Sequence, residues 1–254
     1  MKKLILIPIL SFFSLSSLAD NQIFDVSYTQ EKNSNSQPDW KMTEFGYTQK
    51  EKNDYWQFSI KDYERYNLND NEVLFNSTNL VNENETGKTF LSYSIGVGDF
   101  NKNGYLPEFR TGLILQQYYK NGTVSPIFDY KYSRYENSSI NYFSLAGEKY
   151  INNWRVLAGL WLSDPSFYKA TSGVKAQVGY YFSGNNNSIN YYFSSGQEPE
   201  IVGSSAKVYR ISSHAITSKI LINKNLYTNF GLNHTVNHGN YSRTGFLLGL
   251  SYAF

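Results

Sequence analysis

The sequence contains no cysteine among its 254 residues. It therefore has no disulfide framework, and a lipid-anchored lipoprotein is excluded because no cysteine follows the N-terminal segment. A large charge of one sign is also missing, since 23 Lys and Arg residues stand against 21 Asp and Glu residues. The net charge of +2, without a block of five or six basic residues, gives no basis for nucleic-acid binding.

Long apolar runs are missing after residue 19. No later stretch approaches the ~20 residues that a membrane-spanning helix needs. The i, i+3, i+4 spacing of apolar residues that is typical of helices is nearly absent as well. The sequence therefore disfavours both a helical membrane protein and a helical soluble domain.

The first 19 residues have the pattern of a secretory signal peptide. Met1-Lys2-Lys3 is a short basic start, residues 4–15 form an apolar run, and Ser17-Leu18-Ala19 fits the small-x-small cleavage site. An N-terminal membrane anchor is the alternative, but the run is short for one. We expect the mature chain to begin at Asp20 and to span 254 minus 19, or 235, residues.

Aromatic residues are abundant in a chain that is hydrophilic on average. There are 23 Tyr and 17 Phe, while the mean hydropathy is −0.48. Repeated stretches of about ten residues alternate apolar and polar side chains, which is the period of a β-strand. Both facts predict strands with one apolar and one polar face.

The alternation predicts an all-β, transmembrane, antiparallel up-and-down β-barrel of about 14 strands (range 12–16) over residues 20–254. Weak strands are predicted near 73–81 and 140–149, and residues 207–223 are either one tilted strand or a strand with a bulge. Several connections alternate in length. Long connections are predicted at 31–39, 99–108, 164–173 and 197–206, and short ones at 50–54, 120–122, 150–153, 184–187 and 223–225. Two connections depart from this alternation of long and short: 83–87 is longer than the short class to which it should belong, and 135–138 is shorter than the long class.

Aromatic residues at the ends of the apolar stripes favour a membrane barrel over a soluble sandwich, because amphipathic rings suit the two lipid–water interfaces. The sequence also ends on a strand. Its apolar face is predicted to form the C-terminal signature that the outer-membrane barrel assembly machinery recognises, made of Phe246, Leu248, Leu250, Tyr252 and Phe254. An even number of strands places both termini in the periplasm and the long connections outside. Outer-membrane lipid and the assembly machinery are thus the expected partners.

Three stretches resemble the YaiO family of outer-membrane β-barrels: YINNWRVLAGLWLS, VGYYFSGNNNSINYYFSSGQEPEI and LYTNFGLNHTVNHGNYSRTGFLLGLSYAF. The segment Ser194-Ser195-Gly196-Gln197-Glu198-Pro199-Glu200 carries the resemblance most specifically. The resemblance implies a barrel and brings no catalytic residues. It extends to the membrane barrel of poly-N-acetylglucosamine export porins, whose helical-repeat periplasmic domain has no counterpart before Phe24.

The polar phase and one loop supply the candidates for lumen or ligand contacts: Arg110, Asp129, Lys131, Arg155, Trp161, Lys175, Tyr181, Tyr192, Glu198 and Glu200. Charges of both signs either line a water-filled passage or pair across a blocked interior. The aromatic members either stack against sugar rings or fill the lumen. Glu198 and Glu200 are expected in an outer loop, which is either solvated or folded inward to meet Arg155 or Lys175.

Neither catalysis nor metal binding is predicted. Of the three histidines, His214, His234 and His238, only His214 has a serine two residues away, Ser212, and the register there is uncertain. His234 shares the phase of apolar neighbours, which predicts an interfacial residue. Residues 99–105 copy the first half of a calcium loop, but Arg110 stands where the last ligand is required, so a plain outer loop is expected. We predict no enzyme activity, no cofactor and no metal.

These observations favour a channel for saccharide or exopolysaccharide passage. The first alternative is a closed barrel that acts as a surface-interaction or structural protein. The second is a lipid-modifying outer-membrane enzyme.

Overall fold

The computed structural model describes residues 22–34, 38–65, 67–100, 105–120, 122–182, 187–202 and 205–254, with side chains described for all of these except 199–202 and 205–207. The predicted signal peptide, residues 1–19, lies outside the described residues. Within the described part no helix is long and apolar enough to cross a membrane.

Fourteen antiparallel strands close into a barrel, each paired with its neighbours in sequence. They are β1 (Gln22–Asn33), β2 (Trp40–Glu51), β3 (Asp54–Arg65), β4 (Leu68–Glu83), β5 (Gly87–Val97), β6 (Phe109–Tyr119), β7 (Ser125–Tyr135), β8 (Ser138–Ile151), β9 (Trp154–Pro165), β10 (Thr171–Phe182), β11 (Asn187–Val202), β12 (Ser205–Leu221), β13 (Leu226–Asn237) and β14 (Tyr241–Ala253). The predicted fold class and strand number are confirmed. The weak strands near 73–81 and 140–149 are β4 and β8.

The last strand closes the barrel against the first. β14 pairs with β1 from Ile23 opposite Ala253 to Asn33 opposite Arg243. The ring of Phe24 lies 5.6 Å from that of Phe254, centroid to centroid. This pairing leaves neither β1 nor β14 with an unpaired edge.

The outward face carries a continuous apolar band. The predicted C-terminal residues belong to it, and Leu248, Leu250, Tyr252 and Phe254 are each about half exposed. Phe58, Ile60, Leu145 and Leu160 continue the band elsewhere on the barrel; their exposed fractions run from 41% to 65%. Exposed apolar side chains in this number require a lipid surrounding rather than water.

The connections lie at two ends of the barrel. The terminal end holds Gln22, Phe254 and six connections of two to five residues, such as 52–53 and 222–225. The opposite end, called here the loop end, holds seven connections, of which 98–108 is the longest. The predicted long connection 99–108 is therefore confirmed, whereas 164–173 shortens to 166–170.

One predicted loop is wrong. Residues 197–206 were expected to form a long connection, but β11 runs to Val202 and β12 starts at Ser205, with Pro199 opposite Val208 in the ladder. The pairing continues through a segment in which Pro199 stands between two glutamates and Ile201 is followed directly by Val202, so the period-two alternation that marks a strand is lost. Of the two alternatives for residues 207–223, one strand is confirmed and a bulge is not, because β12 keeps one register with β13 over residues 211–221. A register shift occurs between β4 and β5, at Leu80 and Asn82.

Candidate functional site: the barrel lumen

The inward face of the barrel places eight of the ten candidate residues together. Alternation along the strands turns their side chains into the lumen, where most are buried. They are Arg110, Asp129, Lys131, Arg155, Trp161, Lys175, Tyr181 and Tyr192. Charged and polar side chains thus line a shared interior, as predicted from the polar phase.

Glu198 and Glu200 do not lie in a loop. Both belong to β11, with Glu198 opposite Tyr209 and Glu200 opposite Lys207. Glu198 lies close enough to act electrostatically on Tyr142. Arg155, an expected partner, pairs with Glu148, and Lys175, the other, donates to Ser144. The side chain of Glu200 lies outside the described part.

An ion pair near the loop end neutralises Arg110. Its Nη2 donates a hydrogen bond to Glu72 Oε2 at 2.7 Å, and its Nε lies 2.7 Å from the other carboxylate oxygen. The Tyr63 hydroxyl donates to the same carboxylate at 3.3 Å. Since the Glu72 side chain is only 1% exposed, this bidentate contact compensates a buried charge.

Two arginines stack on Trp40 at the loop end. The guanidinium carbon of Arg243 lies 3.9 Å from the indole centroid, and that of Arg65 lies 4.7 Å from it. Arg243 also approaches Glu31 at 3.7 Å. These contacts join side chains of β1, β2, β3 and β14 and so stabilise the barrel where β14 pairs with β1.

Two residues of the connection 98–108, Tyr105 and Leu106, turn into the lumen. Tyr105 is 8% exposed and Leu106 is 5% exposed, and both pack with Tyr63 and Met42 of the inward face. The Tyr105 hydroxyl donates to the backbone oxygens of Tyr63 at 3.0 Å and Leu68 at 3.3 Å. Burial raises the pKa of this phenol, so it stays a donor.

The expectation of a plain outer loop is therefore wrong for the described part of this connection. Asp99 belongs to the half calcium motif and takes a left-handed backbone conformation, with φ 55°. Residues 101–104 of the motif lie outside the described residues. Within the described part, no group of three or more His, Asp or Glu side chains is placed to hold a metal ion.

Halfway along the lumen, the carboxylate of Asp129 lies near two lysines, Lys131 and Lys175. Lys131 Nζ lies 3.2 Å from Asp129 Oδ2 and 5.5 Å from the centre of the Tyr142 ring. Lys175 Nζ donates to Ser144 Oγ at 2.7 Å. Asp129 Oδ1 is buried without a hydrogen-bond partner among the described atoms.

Trp161 lies against the wall beside this group. An added Cβ at Gly173 or Gly196 would collide with its indole, so the ring lies flat over this cross-strand pair of glycines. The Tyr142 ring stacks beside it at 24° and 6.2 Å. Trp161 is 7% exposed, which means that its role here is chiefly to fill space.

Towards the terminal end, Arg155 makes the most buried ion pair. Its Nε donates to Glu148 Oε2 at 2.5 Å, and Gln116 Nε2 donates to the other oxygen at 2.9 Å. The Glu148 side chain is 1% exposed. Tyr181 and Tyr192 are also buried, at 8% and 9% exposure.

Sequence reasoning missed Trp40, Tyr63, Glu72, Tyr105 and Glu148. Trp40 and Glu148 lie at the margins of predicted strands, and Tyr105 lies in a connection. Glu148 shares the inward phase of β8 with Tyr142 and Ser144 and lies within the weak strand predicted at 140–149, so alternation reaches it. No signal in the sequence shows that Tyr105 turns inward.

Two of the histidines lie on the outward face, opposite each other in the β12–β13 ladder. His214 Nδ1 contacts the Tyr191 hydroxyl at 2.7 Å, and His234 Nδ1 contacts Thr244 Oγ1 at 2.8 Å. His234 therefore takes the outward position that its phase predicted. The hydrogen-bond partners of these two rings are hydroxyls of neighbouring strands, and no serine–histidine pair is among them.

No family model matches the sequence, and no curated protein matches it. Among solved structures, the chain is similar to the CymD monoaromatic hydrocarbon channel (8% identity, TM-score 0.57, 92% of this chain and 89% of that chain). It is similar to a bacterial polysaccharide outer membrane secretin (8%, 0.54, 92% and 99%). It is also similar to the Acinetobacter baumannii outer membrane protein Omp33 (10%, 0.54, 92% and 99%). At these identities the likeness shows the fold of outer-membrane porins and channels, and the resemblance to the YaiO family stays a prediction.

Proposed function

We propose that this barrel lies in the bacterial outer membrane and forms a channel for hydrophilic solutes, with saccharides as the substrate class. The observation that carries the proposal is the closed 14-stranded wall whose inward face is charged and polar while its outward face is apolar. An inward face of this kind is stable when it is hydrated, and a barrel of 14 strands lies between small filled barrels and open porins. Tyrosines beside charged groups in the lumen suit the C–H faces and hydroxyls of sugar rings.

The experiment is single-channel recording of the refolded protein in a planar bilayer, with and without maltotriose. Steady steps that the sugar interrupts support a saccharide channel. β11 offers a matched pair of variants, because Tyr192 faces the lumen while Tyr191 faces outward and is 41% exposed. Tyr192→Ala is expected to raise the conductance by removing a phenol from the path, and Tyr191→Ala to leave it unchanged.

A closed barrel without transport is the second candidate. The inward turn of Tyr105 and the stacking of Arg65 and Arg243 on Trp40 favour it, because these side chains occupy the loop end of the lumen. A silent bilayer, together with heat-modifiable migration that reports a folded barrel, contradicts the channel. It then supports a surface-interaction or structural role.

We further propose that both termini lie in the periplasm and that the assembly machinery recognises the outward residues of β14. Two measurements test these points. Protease added to whole cells is expected to leave a C-terminal tag intact. Phe254→Ala is expected to lower the amount of barrel assembled in cells while the purified variant still refolds in detergent.

A further inference from the structure

The charges of the lumen are not compensated equally around the wall. Near the loop end, two carboxylates lie close to cations, Glu44 with Lys61 at 3.2 Å and Glu72 with Arg110 at 2.7 Å. Two lysines differ. Among the described side chains, no carboxylate lies within 4.0 Å of Lys175 Nζ or of Lys219 Nζ.

Each of these lysines belongs to a group of two ammonium ions around one carboxylate. In the middle of the lumen, Asp129 and Lys131 are the charged groups that act on Lys175. Since Asp129 Oδ2 is already 3.2 Å from Lys131 Nζ, Lys175 retains an uncompensated charge. The field of Glu198 reaches Tyr142 in this region.

The second group lies near the terminal end. Asp25 is the charged group that acts electrostatically on Lys219. Both Asp25 and Lys219 act electrostatically on Lys50. Lys219 Nζ lies 4.6 Å from the centre of the Tyr227 ring, a contact that holds the ammonium group without neutralising it. Each group thus centres two ammonium groups on one carboxylate, because Glu198 acts on Tyr142 and is not among the charged groups that act on Lys175. The two groups occur at successive depths of the lumen.

We propose that Lys175 and Lys219 make this lumen select anions, and that the saccharides it takes are acidic. The inference rests on the proposed channel function and names the substrate class of that channel. A water-filled path with low-dielectric walls focuses the field of uncompensated charges, so ions of the opposite sign concentrate in it. An acidic saccharide suits the central group, because its anionic group binds Lys175.

Two measurements on the refolded full chain test this inference. The first is the reversal potential across a KCl gradient, which we expect to show preference for chloride. The second is titration of the intrinsic tryptophan fluorescence in detergent with trimannuronate and with mannotriose, which differ in their carboxylates. Because a hydrogen bond to a charged group is worth about 1.5–3 kcal/mol, we expect trimannuronate to bind at least about tenfold more tightly.

The test variant is Lys175→Gln/Lys219→Gln, and the control is Lys224→Gln, which removes an equal charge from an exposed turn. The double variant is expected to lose the chloride preference and to bind both trisaccharides alike, whereas the control retains both properties. Heat-modifiable migration confirms that each variant is folded. Cation preference in the parent protein, equal binding of the two trisaccharides, or a double variant that matches the control overturns the inference. A silent bilayer refutes the channel itself, and the titration then still decides whether the two lysines bind acidic saccharides.

Discussion

Replacing Tyr105 by alanine is expected to release the connection 98–108 from the lumen. An aromatic side chain buries 150–250 Å², and at about 25 cal/mol per Å² its burial contributes about 4–6 kcal/mol. Tyr105 is 8% exposed, so nearly all of this contribution is lost in Tyr105→Ala. The two hydrogen bonds of its hydroxyl add about 1 kcal/mol each.

Even the lower figure for burial of the ring, about 4 kcal/mol, shifts the equilibrium between the docked and released connection by about a thousandfold. Tyr105→Phe keeps the ring and loses the two hydrogen bonds, so we expect a shift of about ten- to thirtyfold from it. The two variants therefore predict an order of effects as well as a direction.

Two assays measure the release. Single-channel conductance is expected to rise in the order parent, Tyr105→Phe, Tyr105→Ala, because a side chain leaves the loop end of the lumen. Trypsin is expected to cut the folded barrel after Lys102 faster in the same order. Phe100→Ala is the control, since Phe100 belongs to the same connection and is 54% exposed. If Tyr105→Ala matches Phe100→Ala in both assays, the inward docking described here is refuted.

Two further predictions concern stability in denaturant titrations of the refolded barrel. Glu148→Gln leaves its arginine partner buried without a counter-charge and is expected to lower the free energy of unfolding by about 3–5 kcal/mol. The control is Asp164→Asn, on the exposed outward face, which is expected to change the denaturation midpoint little. Equal midpoints for the two variants would contradict the ion-pair argument. Gly173→Ala is expected to cost about 1–3 kcal/mol because the new methyl group collides with Trp161. Gly231→Ala, whose Cβ would meet its nearest atom at 3.3 Å, is the tolerated control, and a larger loss there than at Gly173 would be evidence against this packing.

The candidate site was predictable where alternation alone decides the direction of a side chain. Arg110, Asp129, Lys175 and Tyr192 all face inward because successive residues of a strand point to opposite faces. Their partners were not predictable. Lys175 on β10 bonds to Ser144 on β8, and that pairing depends on strand tilt and on the small residue Gly159 between them.

The errors share a physical cause. Periodicity reports a strand only where its two faces differ in polarity, and at residues 197–206 polar and apolar residues fall on both faces. The sequence there reads as a loop although the backbone pairs fully. The opposite error occurs at Tyr105, where a connection without periodicity contributes a buried ring.

By itself the sequence determined the all-β class, the number of strands, the apolar outward face with the C-terminal strand, and the set of charges on the inward face. These properties follow from local alternation and from the need to bury or hydrate each face. Only the tertiary structure decided how the inward charges are shared and which connection enters the lumen. Ion pairs such as Arg155 with Glu148, the stacking of two arginines on Trp40, and the docking of Tyr105 form between residues on different strands or loops. Their geometry depends on the closure and tilt of the whole barrel, which no single segment of the sequence encodes.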